Sequence, residues 1–99
     1  MKYELCNTQS FSIRFAKLKD SSVKRKILAR LARVENGNFG DCKQIDVSLF
    51  ELRFFFGGGL RIYYTIQANK VVLLVTGGDK SSQSKDIEKA KNILKELES

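Results

Sequence analysis

A chain of 99 residues with 42% hydrophobic content is long enough for one compact domain and too short for a second core. It contains no histidine, which excludes histidine-dependent catalytic triads and the common histidine-bearing zinc sites. Eighteen Lys and Arg against eleven Asp and Glu give a net charge of +7, which favours a polyanionic partner, an acidic protein, or simple solubility by charge.

No apolar run approaches the roughly 20 residues that span a bilayer, and the N-terminal segment lacks the apolar core of a secretory signal. The two cysteines, Cys6 and Cys42, show no C-x-x-C spacing. We therefore expect a cytoplasmic protein with two reduced thiols, the alternative being a disulfide. We expect no membrane association, no cofactor and no metal.

The N-terminal third of the chain predicts one strand and two helices. A short strand at residues 2–6 precedes a helix that Asn7 or Thr8 can cap and that extends to about residue 19. Asp20 and the serines after it can cap a second helix. Its apolar stripe consists of Val23, Ile27, Leu31 and Val34.

The second helix also has a basic face. Lys26, Arg30 and Arg33 fall within about one-sixth of the circumference, opposite the apolar stripe, at 100° per residue. Such a face is either simply solvated or contributes to binding RNA or another partner. Together with Lys43, at the start of the next strand, these are the candidate RNA-binding residues.

A turn at residues 36–41 and a weakly predicted strand at residues 43–47 lead into LFELRFFFGGGLRIYYTI, residues 49–66. Two aromatic-rich runs flanking three glycines predict a β-hairpin. A three-residue loop would pair Phe56 with Leu60 and leave one face of the hairpin apolar. The opposite face would hold Glu51, Arg53, Arg61 and Tyr63, together with Phe55 and Thr65.

A second hairpin turns at Asn69 and Lys70, and VVLLV (residues 71–75) is typical of a central strand covered on both faces. Gly77 and Gly78 are expected to end this strand, and Asp79 to cap a final helix at residues 82–98. The order β-α-α-β-β-β-α predicts an α+β fold with a mostly antiparallel four-stranded sheet. The N-terminal helical hairpin would cover one face, and the last helix the other side or an edge.

Four segments carry a resemblance to a known family: GNFGD (residues 37–41), ELR (51–53), GxRxY (59–63) and GGDKSSQ (77–83). The last is the most specific, and is followed by Asp86-Ile87 and Ala90. With the order of elements, these segments resemble the RelE/ParE superfamily of bacterial toxins over nearly the whole chain. The resemblance is strongest to the HigB-like branch of addiction-module killer proteins.

The resemblance implies a single RelE/ParE-like domain over residues 1–99 and a toxin neutralised by a co-encoded antitoxin. That antitoxin would be a small DNA-binding protein through which the complex binds its own operator DNA. Many RelE-like toxins cut mRNA in the ribosomal decoding site, which implies a ribosome-dependent, metal-independent endonuclease that inhibits translation. ParE-like toxins instead poison DNA gyrase, and a basic RNA-binding module without toxicity is a third possibility.

Carried over to this chain, Arg53, Arg61 and Tyr63 match basic and aromatic positions that RelE-like toxins use against RNA. RelE itself also uses an arginine and a tyrosine towards its C-terminus, whereas here no Arg follows Arg61 and no Tyr follows Tyr64. Lys80 is the obvious stand-in. The candidate catalytic residues are therefore Arg53, Arg61, Tyr63 and Lys80.

Each of these groups suits a step of RNA cleavage by the 2′-hydroxyl. The guanidinium forks of Arg53 and Arg61 match two phosphate oxygens and cannot easily act as bases. Tyr63 could stack on a base or donate a proton. Glu51 beside the arginines could be a weak base or could simply orient one of them.

Overall fold

The structure, a computed structural model, describes residues 2–98. Its elements in chain order are β1 (Glu4–Asn7), α1 (Gln9–Ala16), α2 (Ser21–Glu35), β2 (Cys42–Asp46), β3 (Leu49–Arg53), β4 (Arg61–Gln67), β5 (Val71–Gly78), a 3-10 turn (Lys80–Ser82) and α3 (Gln83–Glu98). The α+β class is confirmed. The sheet has five strands and not the predicted four, because the weakly predicted strand at residues 43–47 does form, as β2, and pairs with β3.

The strand order in the sheet is β1-β5-β4-β3-β2. Only the β1–β5 pair is parallel within the described residues, so the sheet is mostly antiparallel as predicted. Strand β5 lies between β1 and β4, which confirms the central position that VVLLV predicts. The strand continues through both glycines and ends at Gly78, because Gly77 and Gly78 still pair with Ile62 and Arg61 of β4.

Helices cover both faces of the sheet. Helices α1 and α2 pack on one face, and their buried contacts are Phe11, Ile27, Leu31, Val34, Leu52, Phe54, Ile62, Tyr64, Val72 and Leu74. Helix α3 packs on the other face, where the buried apolar residues are Leu49, Tyr63, Val75 and Ala90. The last helix therefore takes the opposite side of the sheet and not its edge.

The helices begin at the predicted polar residues. Thr8 Oγ1 accepts a hydrogen bond from the Phe11 amide at 3.1 Å, and Asp20 Oδ1 accepts one from the Ser22 amide at 2.8 Å. Asp79 caps the 3-10 turn that leads into α3. Helix α1 ends at Ala16, earlier than predicted, where the Leu18 amide bonds the Phe15 carbonyl at 3.2 Å.

The β3–β4 hairpin has the predicted faces and a different register. Leu52 pairs with Ile62, and the Phe54 amide donates to the Leu60 carbonyl at 3.0 Å. The predicted three-residue loop is wrong, because strand pairing stops at Phe54 and Leu60 and residues 55–59 form the loop. The three glycines within it have positive φ, and the Leu60 amide donates to the Phe56 carbonyl at 3.0 Å. The shift is two residues, and side chains alternate with that period, so the faces survive.

Cys6 and Cys42 are free thiols, of which Cys6 is half-buried and Cys42 is exposed. Within residues 2–98, no helix is long and apolar enough to cross a membrane.

Gly78 is packed directly against Asp86 of α3. A Cβ at this position would lie 1.7 Å from Asp86 Oδ2 and 2.9 Å from Ser82 Oγ. Asp86 is only 6% exposed and accepts a hydrogen bond from Ser82 Oγ at 2.5 Å. The side chain of Asp86 therefore fills the space that any larger residue at position 78 would need.

We predict that Gly78→Ala lowers the free energy of unfolding by about 1–3 kcal/mol, because the added methyl overpacks this contact. Chemical denaturation of the variant measures the loss. The double variant Gly78→Ala/Asp86→Ala should cost less than the sum of its two single changes, since removing the carboxylate removes the clash. Additive losses would contradict the steric explanation.

Candidate functional site

An open cleft of about 440 Å³ lies between the β3–β4 hairpin and the 3-10 turn. Its lining residues are Asp41, Arg53, Phe54, Phe55, Gly59, Arg61 and Lys80. The loop brings Lys80 to the hairpin through a hydrogen bond from the Lys80 amide to the Gly58 carbonyl at 3.3 Å. Three of the four predicted catalytic residues therefore meet in one cleft.

Arg53 lies at the end of β3 with its side chain 39% exposed. Its Nη2 and Nε donate to Asp41 Oδ1 at 2.8 and 3.2 Å. The hydrogen bond with Asp41 raises the pKa of the Arg53 guanidinium above its usual value. Asp41 thus holds the guanidinium at the mouth of the cleft and leaves part of it open to solvent.

Arg61 is held more tightly. Its Nε lies 2.8 Å from Glu51 Oε1, and its side chain is 13% exposed whereas that of Glu51 is fully buried. The Nε–H is not aligned on this oxygen, so the contact is an ion pair and not a directed hydrogen bond. Nη1 donates to the Gly59 carbonyl at 2.9 Å. Residues of β3 and of the loop therefore fix Arg61 from two sides.

Glu51 is itself positioned by α3. Gln83 Nε2 donates a hydrogen bond to Glu51 Oε1 at 2.8 Å. The same carboxylate oxygen is also the one that lies against the Arg61 guanidinium. Of the two roles predicted for Glu51, this geometry favours orientation of Arg61. A general base must reach the proton that it removes from the substrate, and Glu51 is fully buried.

Tyr63 lies beneath α3 and is fully buried. Burial raises the pKa of its hydroxyl above the usual value, and within residues 2–98 the hydroxyl makes no hydrogen bond. The prediction that Tyr63 stacks on a base is wrong, because the ring has no exposed surface. The sequence places it on the correct face of the hairpin, but α3 covers that face.

A second groove, of about 300 Å³, lies on the α2 side of the same loop. It is lined by Lys26, Ala29, Arg30, Arg33, Phe54, Phe55 and Phe56. Lys26 and Arg33 are exposed, and the Lys26 ammonium lies 4.9 Å from the Phe56 ring centroid. Two of the predicted RNA-binding residues are therefore available to a ligand in this groove.

Arg30 has a different role from the predicted one. Its guanidinium donates to the carbonyls of Phe39, Asp41 and Arg53 at distances of 2.7 to 3.2 Å. Its carbon Cζ also lies 4.7 Å from the Phe54 ring centroid, and burial lowers the pKa of Arg30. Arg30 joins α2 to the 37–41 turn and to the end of β3, so most of its donors are unavailable to RNA.

Lys43 is exposed in the edge strand β2, directly opposite Glu51. Side chains of directly opposed residues share a face, and Glu51 faces α3. Lys43 therefore lies on the other side of the sheet from α2 and does not join Lys26 and Arg33.

Phe55 belongs to both hollows and was not among the predicted site residues. It is 95% exposed, and it follows Arg53 at the two-residue spacing that places side chains on one face. That alternation was the available signal. Among residues 2–98, no group of three His, Cys, Asp or Glu side chains is placed to hold a metal ion.

The chain matches one family over most of its length. Residues 14–97 match the family model described as "Phage derived protein Gp49-like (DUF891)". An uncharacterized protein of Haemophilus influenzae is 43% identical over 97 residues, which cover 98% of this chain and 98% of that protein.

Solved structures of the Escherichia coli toxin RelE share the fold. A double arginine-to-alanine mutant of RelE in the free state has a TM-score of 0.72 at 20% identity, covering 94% of this chain and 99% of that one. RelE in the intact RelBE toxin–antitoxin complex has a TM-score of 0.61 at 20% identity, covering 78% and 95%. The RelE/ParE-like fold expected from the sequence is thus confirmed. These matches do not distinguish the HigB-like branch from other members with this fold.

We predict that Arg30→Ala lowers the free energy of unfolding by roughly 2–3 kcal/mol, because three carbonyls lose a charged donor. A thermal melt should show a decrease of about 4–8 °C per kcal/mol for a domain of this size. The matched control is Arg33→Ala, three residues along the same helix and exposed, which should change stability by less than about 0.5 kcal/mol. Equal melting temperatures for both variants would contradict the structural role of Arg30.

Proposed function

Because this chain belongs to the phage-derived Gp49-like protein family and has the fold of RelE, we propose that it is the toxin of a type II toxin–antitoxin module. In this proposal it is an mRNA endonuclease that acts on the ribosome and inhibits translation. One observation carries the proposal: Arg53, Arg61 and Lys80 converge on one open cleft. Three cations around one cleft suit the charge that develops on a transferring phosphate.

The cleft offers two kinds of cation. Arg61 is fixed by Glu51 and the Gly59 carbonyl, and Arg53 is fixed by Asp41, so both guanidiniums are preorganised. Lys80 is exposed and keeps the freedom of its side chain. Preorganised donors stabilise a transition state without reorganisation at the moment of reaction. We assign phosphate binding to the two arginines and charge neutralisation on the leaving side to Lys80.

Proton transfer is the weak point of this cleft. The chain has no histidine, Tyr63 is buried, and the one carboxylate among the described lining residues, Asp41, is engaged by Arg53. Little rate enhancement is therefore expected from general acid–base catalysis. Holding the 2′-hydroxyl in line with the phosphate can supply about 7–11 kcal/mol, and a ribosome already constrains its mRNA.

The same weakness supports a second candidate function. A toxin that binds DNA gyrase without chemistry needs no general acid or base, and the described cleft residues include no histidine and no carboxylate that is free of an arginine partner. Inhibition of supercoiling without RNA cleavage would establish this alternative.

The proposal also assigns partners and a compartment. RelE is known in complex with the antitoxin RelB and with a RelB peptide. For this chain we propose a cognate antitoxin, which is a small DNA-binding protein, and an operator to which the complex binds through it. Ribosomes and mRNA are the proposed targets, the cytoplasm the proposed compartment, and the HigB-like branch the proposed subfamily.

We predict that Arg53→Ala and Lys80→Ala each lower the rate of mRNA cleavage on ribosomes by roughly 10²-fold or more, since each removes a cation from the transferring phosphate. Arg25→Ala, an exposed arginine of α2 outside the cleft, is the matched control and should keep full activity. Both cleft variants should relieve growth inhibition, as should co-expression of the adjacent open reading frame with the unaltered toxin.

Arg61 needs a different substitution. Arg61→Ala would leave the Glu51 carboxylate buried without a counter-charge, which typically costs about 3–5 kcal/mol. Arg61→Lys keeps the charge and loses the guanidinium fork, so it tests catalysis with less damage to the fold. Full toxicity of Arg53→Ala and Arg61→Lys, with unchanged melting temperatures, would mean that this cleft is not the active site.

We further predict that cleavage requires ribosomes and survives chelation. Purified protein is incubated with one transcript, with and without programmed ribosomes, and each arm is repeated with EDTA at levels that keep ribosomes intact. Cleavage should appear only with ribosomes, because they supply the in-line geometry, and EDTA should not reduce it. Efficient cutting of naked RNA, or activity lost on chelation and restored by a metal, would contradict the proposal.

A further inference from the structure

Phe55 is turned outward by its neighbours. Phe54 is buried against the core, with its ring 5.4 Å from that of Phe56 and 4.7 Å from the Arg30 guanidinium. Phe55 alone of the three points into solvent, where it is 95% exposed. A single exposed apolar side chain is common and by itself indicates nothing. Phe55 is unusual because it lies between two basic hollows, the cleft and the groove.

Phe55 stands on the ridge between those hollows. It lines the cleft with Arg53, Arg61 and Lys80, and it also lines the groove with Lys26 and Arg33. None of the described residues that line the groove is acidic, and the single carboxylate of the cleft is paired with Arg53. Both sides of the ridge are therefore positively charged.

The backbone that carries Phe55 is fixed on both sides. Arg30 Nη1 donates to the Arg53 carbonyl at 2.7 Å, and the Phe54 amide donates to the Leu60 carbonyl at 3.0 Å. After Phe55, the Leu60 amide returns to the Phe56 carbonyl at 3.0 Å. The backbone at Phe55 therefore need not be ordered when a ligand binds, which lowers the entropic cost of using this residue as a contact.

We propose that Phe55 is a stacking platform for an unpaired base of single-stranded RNA. The RNA backbone would run from the cleft, over the ridge, into the groove, where Lys26 and Arg33 contact phosphates. This rests on the proposed function and adds the path of the substrate to it. An aromatic ring between two basic tracks is how proteins hold single strands, because every base has a face for stacking while its phosphates need cations.

The proposal separates two sets of cations by role. Arg53, Arg61 and Lys80 lie on the side of the ridge where cleavage is proposed, whereas Lys26 and Arg33 lie beyond it and would affect binding alone. Arg30 also lines the groove, but its guanidinium N–H groups donate to backbone carbonyls, so we assign it no phosphate contact. Double-stranded RNA would not bind in this way, because its bases are already paired and stacked on one another and are not available to stack on Phe55.

The chain contains no tryptophan, so Phe55→Trp introduces a single fluorescent reporter on the ridge itself. The variant is titrated at low ionic strength with a short single-stranded oligoribonucleotide, with a perfect duplex of the same sequence, and with inorganic polyphosphate, which has charge but no bases. We expect the single strand to quench the fluorescence and polyphosphate to bind without quenching. Equal quenching by duplex or by polyphosphate would overturn the stacking role.

Affinities of ring variants test the energetic contribution of Phe55. Phe55→Ala should weaken binding of the single strand by about 5- to 100-fold, as expected for one base–aromatic stack. Phe55→Tyr should retain the affinity, because it keeps the ring, and Phe55→Leu should lose it, because apolar bulk alone does not stack. Unchanged affinity for Phe55→Ala would overturn the proposal.

Salt dependence tests the path beyond the ridge. Lys26→Ala and Arg33→Ala should each reduce the slope of log K against log salt by about 0.7, the value for one phosphate contact on a single strand. Arg25→Ala, on the same helix and outside the groove, should leave the slope unchanged. Slopes that do not differ among the three variants would overturn the assigned path.

The outcomes separate this inference from the proposed function. Stacking and slope changes without ribosome-dependent cleavage would support the RNA path and contradict the endonuclease. Cleavage by the unaltered protein, with Phe55→Ala equally active and equally tight on RNA, would support the endonuclease and overturn the path. If Phe55→Ala instead weakens only the binding of the antitoxin and leaves RNA binding unchanged, the ring contacts a protein partner and the RNA path is wrong.

Discussion

The buried ion pair between Glu51 and Arg61 is the constraint on which the rest of the site depends. Glu51 is fully buried between the sheet and α3, where an unpaired carboxylate would be costly, so Arg61 must stay beside it. Gln83 bonds the same carboxylate oxygen from the first turn of α3. The ion pair and this hydrogen bond together connect β3, β4 and the last helix, and they fix a guanidinium at the edge of the cleft.

The GGDKSSQ segment is largely the architecture that keeps this arrangement in place. Gly78 leaves room for the buried Asp86, Asp79 caps the turn, and Gln83 reaches Glu51. Hydrogen bonding from the Ser81 hydroxyl lowers the pKa of Asp79, as suits a carboxylate that accepts several bonds. Lys80 alone in this segment points to the cleft. The motif that best identifies the family is therefore chiefly structural, and its one side chain in the cleft, Lys80, is carried by the capped turn.

Sequence reasoning predicted what depends on local periodicity. The faces of the β3–β4 hairpin were correct although the register was wrong, because a two-residue error leaves an alternation of two unchanged. Contacts between residues that are distant in the sequence could not be predicted in this way. The helical pattern placed Arg30 correctly on the basic face, but it could not show that carbonyls of Phe39, Asp41 and Arg53 converge on it. Likewise the alternation placed Tyr63 on the same face as Glu51 and could not show that α3 covers both.

The burial of Tyr63 changes how the chemistry of the cleft has to be understood. An arginine, a tyrosine and a carboxylate on one strand face suggest an acid, a base and an electrostatic clamp. Once α3 covers Glu51 and Tyr63, the clamp alone remains accessible, through Arg53, part of Arg61, and Lys80. A site of this kind lowers a barrier by fixing charge and geometry, and it leaves proton transfer to solvent or to the target. In the proposed endonuclease, specificity would then come from where the RNA strand is held, which gives the ridge and the groove beyond it as much weight as the cleft.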